Sequence, residues 1–178
     1  MRIIAGSRRG HKLLEFEGQN IRPTTDRVKE SIFNLIQEFV PKSRVLDLFG
    51  GSGALSFEAL SRGAESALCV DIDKNSVAVI KKNAESLAFD NFEVVNADAM
   101  SYISSEKRQF SVIFLDPPYN KGFIAPVING IVEHELLCEG GIIVLESDFS
   151  DEHSDFSGLN IIKQRKYGRS YVTIYQRG

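Results

Sequence analysis

The residues best suited to chemistry are Asp116, Pro117, Pro118 and Tyr119, which follow the apolar run 110–115. That run predicts a buried strand, and the two prolines end it because neither has an N–H to donate. Asp116 is then expected at the carboxyl end of the strand, where open parallel sheets bind their ligands. The carboxylate and the Pro117 carbonyl can accept from an amine, and Tyr119 can stack on a planar ring. This combination suits the exocyclic amine of a nucleobase.

A second chemical feature is the glycine-rich turn that follows the apolar run 44–49. Gly51 and Gly53 let a ligand approach the backbone closely, although Ser56 stands where a dinucleotide-binding motif has its third glycine. Asp47 precedes the turn, where its carboxylate would repel a pyrophosphate but could hold an ammonium group. The turn therefore favours a cationic cofactor over a dinucleotide.

Acidic residues also end the next two predicted strands. Asp71 can accept from both hydroxyls of a ribose, and Asp98 or its neighbours can accept from an adenine amine. Helix capping is the alternative interpretation, favoured for Asp73 and evenly balanced for Asp98. With no basic residue in the glycine-rich turn, the set suits S-adenosylmethionine, a cationic nucleoside without phosphate. The residues expected to bind it are Asp47, Phe49, Gly51, Gly53, Asp71, Ile72, Asp98, Ala99 and Asp116.

Predicted strands and helices alternate up to residue 146, which indicates an α/β fold with a mostly parallel sheet and helices on both faces. The expected strands are 44–49, 66–72, 92–96, 110–115 and 142–146. The expected helices are 27 to about 39, 54–62, 74–87, 99–105 and 123–137. Runs 159–165 and 170–176 have no helix between them, so they are expected to pair as an antiparallel hairpin at the sheet edge.

Residues 2–5 and 12–16 predict a small β-hairpin at the start of the chain. We therefore expect residues 1–20 to form a hairpin extension and residues 21–178 to form the main domain. A length of 178 residues, 43% of them hydrophobic, is enough for one domain with a buried core.

Composition excludes several classes of protein. The longest apolar runs are too short to cross a membrane, and the first residues lack the apolar region of a signal peptide. Cys69 and Cys138 lie in apolar settings, which favours core residues of a reduced cytoplasmic protein over a disulfide or a metal site. No metal is expected.

The net charge of -3 hides an uneven distribution along the chain. Residues 1–29 carry +4 and residues 163–178 carry +5, so the acidic excess lies between them. Basic ends around an acidic middle suit a protein that holds a polyanion at one rim. Solvated surface charge is the alternative interpretation for either end.

Taken together, these motifs resemble the class I S-adenosylmethionine-dependent amino-methyltransferases. The resemblance is closer still to the RsmD family, which methylates the N2 amine of a guanine in small-subunit ribosomal RNA. It is carried by residues 22–34, 51–55, 58–64 and 116–119 and by the hairpin around 167–168, and it covers essentially the whole chain. It implies a Rossmann-like sheet of seven strands, with Gly50 standing where such proteins often have alanine.

The resemblance also implies direct methyl transfer to a guanine that has been flipped out of its stack. Asp116 and the Pro117 carbonyl would accept the two N–H bonds of the amine. The expected catalytic residues are Asp116, Pro117, Pro118 and Tyr119. The residues expected to bind the substrate are Arg8, Arg9, Lys12, Arg22, Thr24, Thr25, Arg27, Tyr119 and Asn120. The partner would be ribosomal RNA or the assembling small subunit, and the enzyme a cytoplasmic monomer.

Three alternatives remain open from the sequence. A DNA amino-methyltransferase, acting on adenine N6 or cytosine N4, would share the amine motif but usually carries a separate target-recognition domain, for which this chain has no room. A nucleotide-binding dehydrogenase would share the fold, although Asp47 and the missing third glycine argue against it. A non-catalytic RNA-binding module would keep the basic ends without needing an intact amine site.

Overall fold

A seven-stranded sheet forms the centre of the part of the chain that this computed structural model describes, residues 1–15, 26–118, 122–148 and 155–178. The strands are β1 (Arg44–Asp47), β2 (Ser66–Asp71), β3 (Phe92–Asn96), β4 (Phe110–Leu115), β5 (Leu137–Asp148), β6 (Leu159–Tyr167) and β7 (Ser170–Arg177). The helices are α1 (Asp26–Leu35), α2 (Ala54–Ser61), α3 (Lys74–Leu87), α4 (Ala99–Ser105) and α5 (Ile124–Glu133).

The strand order is β3-β2-β1-β4-β5-β7-β6. The first five strands in chain order are parallel, while β7 runs antiparallel to both β5 and β6. The predicted α/β fold with an antiparallel C-terminal hairpin is thereby confirmed. Among the helices of the described ranges, none is long and apolar enough to span a membrane.

Helices cover both faces of the sheet, and each face has its own apolar cluster. The front face, as we name it, is covered by α1, α2, α3 and residues 1–15, and its cluster includes Ile3, Phe33 and Phe114. The back face is covered by α4 and α5 and includes Ile113 and Ile128. Since Phe33 of α1 lies 5.7 Å from Phe114, measured between ring centroids, α1 packs on β4 from the front.

Three predicted elements differ from the observed ones by more than two residues at one end. Helix α1 ends at Leu35 and not near residue 39. At this helix end the Lys163 ammonium donates to the Leu35 carbonyl at 2.7 Å, which satisfies one of the terminal carbonyl acceptors. Helix α5 ends at Glu133, since Glu135 has a φ of 54° that a helix cannot continue through. Strand β5 therefore begins at Leu137, five residues earlier than expected.

The predicted N-terminal hairpin is only partly regular. One antiparallel bridge joins Arg2 to Lys12, and the Ile3 amide donates to the His11 carbonyl at 2.9 Å. The prediction of two regular paired strands, 2–5 and 12–16, was therefore wrong for the described residues. Residue 16 lies outside the described residues. Ile3 and Leu13 are buried in the front cluster, which fixes this segment onto the domain.

A buried ion pair ties the same segment to α1 and α2. Lys29 Nζ lies 3.3 Å from Glu58 Oε2, and both side chains are fully buried. The Glu58 carboxylate also accepts from the amides of Ile4 at 2.8 Å and Ala5 at 3.0 Å. Arg62 Nε completes the group at 2.7 Å from Glu58 Oε1. Glu58 thus connects the first residues of the chain to two helices.

Candidate active site at the strand ends

Three of the predicted site acids lie at the carboxyl ends of neighbouring parallel strands. Asp47 ends β1, Asp71 ends β2 and Asp116 directly follows β4. Asp47 is paired with Cys69 on one side and Phe114 on the other, and both of these belong to the front cluster. Because side chains alternate along a strand, all three acids fall on the front side of the sheet edge.

Asp47 is almost fully buried, with 1% of its surface exposed. The Ser56 hydroxyl donates to its Oδ2 at 3.1 Å, whereas Oδ1 has no hydrogen-bond partner among the described residues. Burial raises the pKa of the Asp47 carboxyl to about 7, and the Ser56 hydrogen bond opposes that shift. A buried acceptor left without a partner costs free energy, so this oxygen suits a ligand that brings a donor or a positive charge.

Asp71 holds the glycine-rich turn in place. Its Oδ2 accepts from the Gly51 amide at 2.8 Å and its Oδ1 from the Asp73 amide at 2.8 Å. Burial raises the pKa of the Asp71 carboxyl, and these two backbone donors lower it. Gly51 has a φ of 56°, and a Cβ added there would meet no atom within 4 Å. The backbone of the turn therefore borders open space that a ligand can enter.

The turn leaves no room for an alanine at residue 50. A Cβ on Gly50 would lie 2.2 Å from the Sγ atom of Cys69. Gly53 has a φ of 81° directly before α2, a backbone conformation that favours glycine. With Cys69 beneath it, residue 50 is therefore restricted to glycine.

Ile72 is an apolar side chain that the protein leaves 70% exposed beside Asp71. The side-chain amide of Asn96 donates to the carbonyls of Asp71 and Ile72, at 2.9 Å each. These bonds hold the backbone that carries Ile72 at the sheet edge, where its side chain could cover an adenine ring. Asn96 could not be predicted as a site residue from the sequence, because a polar residue at a strand end is an ordinary turn signal.

Asp98 caps the amino end of helix α4. Its carboxylate accepts from the Ser101 amide at 3.0 Å, which confirms the capping interpretation, and the next residue, Ala99, is buried. Asp73 likewise caps α3 by accepting from the Asn75 amide at 2.9 Å. A carboxylate has about four acceptor positions, so capping by Asp98 is compatible with a further bond to an adenine amine.

The remaining predicted residues near the amine motif are placed in part. Phe49 is half-buried, and its ring lies 6.3 Å from that of Phe123 at the start of α5. Asp116 is half-buried, Pro117 is buried and Pro118 is exposed. Tyr119 and Asn120 lie outside the described residues.

The basic residues expected to bind substrate differ in their surroundings. Arg9, Lys12 and Arg27 are exposed. Arg8 Nε donates to the Leu87 carbonyl at 2.8 Å, and its guanidinium lies 5.2 Å from the centroid of a phenylalanine ring, so this side chain packs against the protein. Arg22, Thr24 and Thr25 lie outside the described residues.

Asn83 joins the N-terminal segment to the glycine-rich turn, a link that sequence reasoning missed. Only 2% of its surface is exposed. Its amide nitrogen donates to the carbonyls of Leu14 and Ser52, at 3.0 Å each, and its oxygen accepts from the Leu14 amide at 2.8 Å. An asparagine between charged helix residues gives no sequence signal for such a role.

The described residues fit the groups of S-adenosylmethionine. The unpartnered Oδ1 of Asp47 suits the ammonium, Asp71 suits the ribose hydroxyls, and Ile72 with Asp98 suits the adenine ring and its amine. No group of three or more His, Cys, Asp or Glu side chains among the described residues could hold a metal ion.

The sheet order and the acidic strand ends define a class I methyltransferase fold. The chain belongs to the family described as conserved hypothetical protein 95, whose model matches residues 1–176. Relatives include YlbH of Bacillus subtilis, 40% identical over 99% of both chains. Ribosomal RNA small subunit methyltransferase D of Escherichia coli is 33% identical over 99% of this chain and 90% of its own length.

Solved structures share the fold. The Escherichia coli chain yhhF superposes with a TM-score of 0.90 at 34% identity and covers 99% of this chain and 97% of its own. A more distant chain, crystallised in complex with SAH, has a TM-score of 0.68 at 18% identity and covers 88% of this chain and 50% of its own. The second likeness concerns the fold alone.

Proposed function

We propose that this protein transfers a methyl group from S-adenosylmethionine to the N2 amine of a guanine in small-subunit ribosomal RNA. The observation that carries the proposal is the row of Asp47, Asp71 and Asp116 on one side of the sheet edge, with Oδ1 of Asp47 buried and unpartnered among the described residues. The name of the Escherichia coli relative supports the class of RNA.

Cofactor binding would use the first two strand ends. When bound, S-adenosylmethionine supplies an electrophilic methyl group on a sulfonium. Asp47 would hold the ammonium, Asp71 the ribose, and the glycine-rich turn would let the backbone approach the ligand. One solved structure that shares the fold is a complex with SAH, which supports this choice of cofactor.

Catalysis would depend mainly on positioning. Asp116 and the Pro117 carbonyl would accept hydrogen bonds from the two N–H groups of the guanine amine. These bonds localise the lone pair of the amine nitrogen and stabilise the positive charge that develops on it. Tyr119 would stack on the base, and Asn120 lies next to it in sequence. Asp116 would then accept the released proton, directly or through water.

Two basic regions would hold RNA phosphates around the flipped base. On the N-terminal segment, Arg9 and Lys12 are exposed, and Arg27 is exposed at the start of α1. Arg8 would contact a phosphate through the guanidinium nitrogens that do not bind Leu87. Arg22, Thr24 and Thr25 would belong to the segment that closes the pocket. Residues 1–20 would thus act as an RNA-contact extension of the domain 21–178.

The second basic region is the turn between β6 and β7. Ser170 pairs with Asp148 at the carboxyl end of β5, which places the turn at the same sheet edge as Asp116. The side chain of Arg169 is 84% exposed, and Lys166 Nζ lies 5.6 Å from the centroid of the Tyr171 ring. Cationic and aromatic groups together suit a nucleic acid strand.

In the test, the purified protein and labelled S-adenosylmethionine are incubated with each of three substrates: free small-subunit RNA, assembled small subunits and duplex DNA. The proposal expects label in RNA or in the subunit and none in DNA. Transfer to DNA alone would support an adenine or cytosine amino-methyltransferase, and RNA binding without transfer would support a non-catalytic module. Light scattering and cell fractionation would test the proposed cytoplasmic monomer.

A further inference from the structure

Glu146 is a buried acid beside the amine motif that neither the sequence analysis nor the proposed mechanism has used. It lies in β5 and is 7% exposed. Leu115, the last residue of β4, pairs with Leu145 of β5, so Asp116, which directly follows β4, comes next to Glu146 if the same register is continued by one residue. Adjacent strands are about 4.8 Å apart, so the two acids are carried by neighbouring backbone positions.

The two side chains also share a face of the sheet. Phe114 and Val144 belong to the front cluster, and each lies two residues before one of the acids. Val172, which pairs with Glu146 from β7, belongs to the same cluster. Alternation along the strands therefore sends Asp116 and Glu146 to the front side, toward α1 and the N-terminal segment.

A second carboxylate beside Asp116 could distinguish guanine from adenine and cytosine, the other bases that carry an exocyclic amine. In guanine the N2 amine lies between two ring nitrogens: N1 carries a hydrogen and donates, whereas N3 accepts. In adenine and cytosine the ring nitrogen next to the exocyclic amine is an acceptor. An ionised carboxylate only accepts, so it attracts the first arrangement and repels the second.

Resting on the proposed function, we propose that Glu146 selects guanine by accepting the N1–H beside the N2 amine held by Asp116. Glu146 also interacts within the protein, and a carboxylate has about four acceptor positions, so the base can take another. Adenine or cytosine in the same pocket would place a lone pair against the Glu146 carboxylate. The residue thereby separates guanine-N2 transfer from transfer to adenine N6 or cytosine N4.

The test uses a small-subunit RNA fragment whose target guanine is replaced by 2,6-diaminopurine. This base keeps the N2 amine but presents a lone pair at N1 in place of N1–H. Single-turnover rates are measured on both RNAs for the wild type, Glu146→Gln and Glu139→Gln, an exposed glutamate on the same strand. Glutamine offers an N–H donor, which matches the N1 lone pair of 2,6-diaminopurine.

The wild type should prefer guanine by about tenfold or more, the factor that one lost hydrogen bond gives. Glu146→Gln should lower this preference at least about tenfold, while Glu139→Gln should leave it unchanged. An unchanged preference in Glu146→Gln, with N2-methylguanine still formed, would overturn the role of Glu146 and leave the proposed function intact. If Glu146→Gln does not fold, a wild-type preference for guanine over 2,6-diaminopurine below about threefold overturns the role of Glu146. Failure of the wild type to methylate guanine N2 at all would remove both proposals.

Discussion

The Ser56 hydroxyl donates to Oδ2 of Asp47 at 3.1 Å, while Oδ1 of the same buried carboxylate has no partner among the described residues. One oxygen is thus fixed by α2 and the other remains for a ligand. Ser56 stands where a dinucleotide-binding motif would have a glycine, and its hydroxyl orients the Asp47 carboxylate, which a glycine could not do. The pair distinguishes this turn from one built for a pyrophosphate.

The affinity for S-adenosylmethionine should depend on pH through Asp47. Burial raises the pKa of this carboxyl to about 7, so below that pH the free protein holds a proton that binding of the ammonium must release. We expect the affinity to rise up to about tenfold per pH unit from about pH 6 to about pH 7 and then level off. Calorimetry in two buffers of different ionisation enthalpy would measure the released proton.

Asp47→Asn is the matched variant for that measurement. It should bind the cofactor more weakly above pH 7 and show no proton release in the same window. A wild-type affinity that is flat between pH 6 and pH 8 would contradict the assignment of Asp47 to the ammonium.

Asp116→Ala should stop methyl transfer and leave cofactor binding nearly intact. Asp116 directly follows β4, whereas the acids proposed to hold the ammonium and the ribose of the cofactor end β1 and β2. We expect the single-turnover rate to fall at least about a hundredfold, with the dissociation constant for S-adenosylmethionine changed by less than about threefold. A variant that transfers at the wild-type rate would remove Asp116 from the mechanism.

Breaking the buried pair of Lys29 and Glu58 should destabilise the protein. Burial lowers the pKa of the Lys29 ammonium, and the charge of Glu58 opposes that shift. Glu58→Gln would leave a buried ammonium without its counter-ion, at a cost of about 3–5 kcal/mol in the free energy of unfolding. Urea unfolding followed by circular dichroism measures this, with the exposed Glu65→Gln as control. Equal midpoints for the two variants would show that the pair contributes little.

The double change Arg9→Ala and Lys12→Ala should weaken RNA binding and flatten its dependence on salt. Each phosphate contact contributes about 0.7–0.9 to the slope of log affinity against log salt, so losing two contacts should lower the slope by about 1.4 to 1.8. The control is Lys42→Ala with Lys107→Ala, two exposed lysines near the amino ends of β1 and β4, at the opposite edge of the sheet. If both double variants keep the wild-type slope, the RNA surface lies elsewhere, with the β6–β7 turn as the next candidate.

Much of the fold could be predicted because its elements have clear local signals. β3, β4, α3 and α4 have the expected bounds, and each is an apolar run or periodic segment bounded by turn or capping residues. The bounds of α5 and β5 could not be predicted in the same way. Leu137 continues an apolar helical pattern, and only its pairing with Phe110 assigns it to the sheet.

The candidate site was predictable where a residue marks a strand end, as at Asp47, Asp71 and Asp116. The supporting contacts were not, since they depend on tertiary packing. Lys29 and Glu58 read as surface residues of separate helices, yet both are fully buried. Asn83 and Ser52 are 31 residues apart in sequence and meet only in the folded chain. The roles of Tyr119, Asn120, Arg22, Thr24 and Thr25 stay predictions.

The most direct test of the central claim is the identity of the methylated atom. Small-subunit RNA is treated with the protein and deuterium-labelled S-adenosylmethionine, digested to nucleosides and analysed by mass spectrometry against N2-methylguanosine, N6-methyladenosine and N4-methylcytidine standards. The account predicts label in N2-methylguanosine alone, and its absence with Asp116→Ala. Label in a methylated adenosine or cytidine, or at a different atom of guanosine, would contradict it.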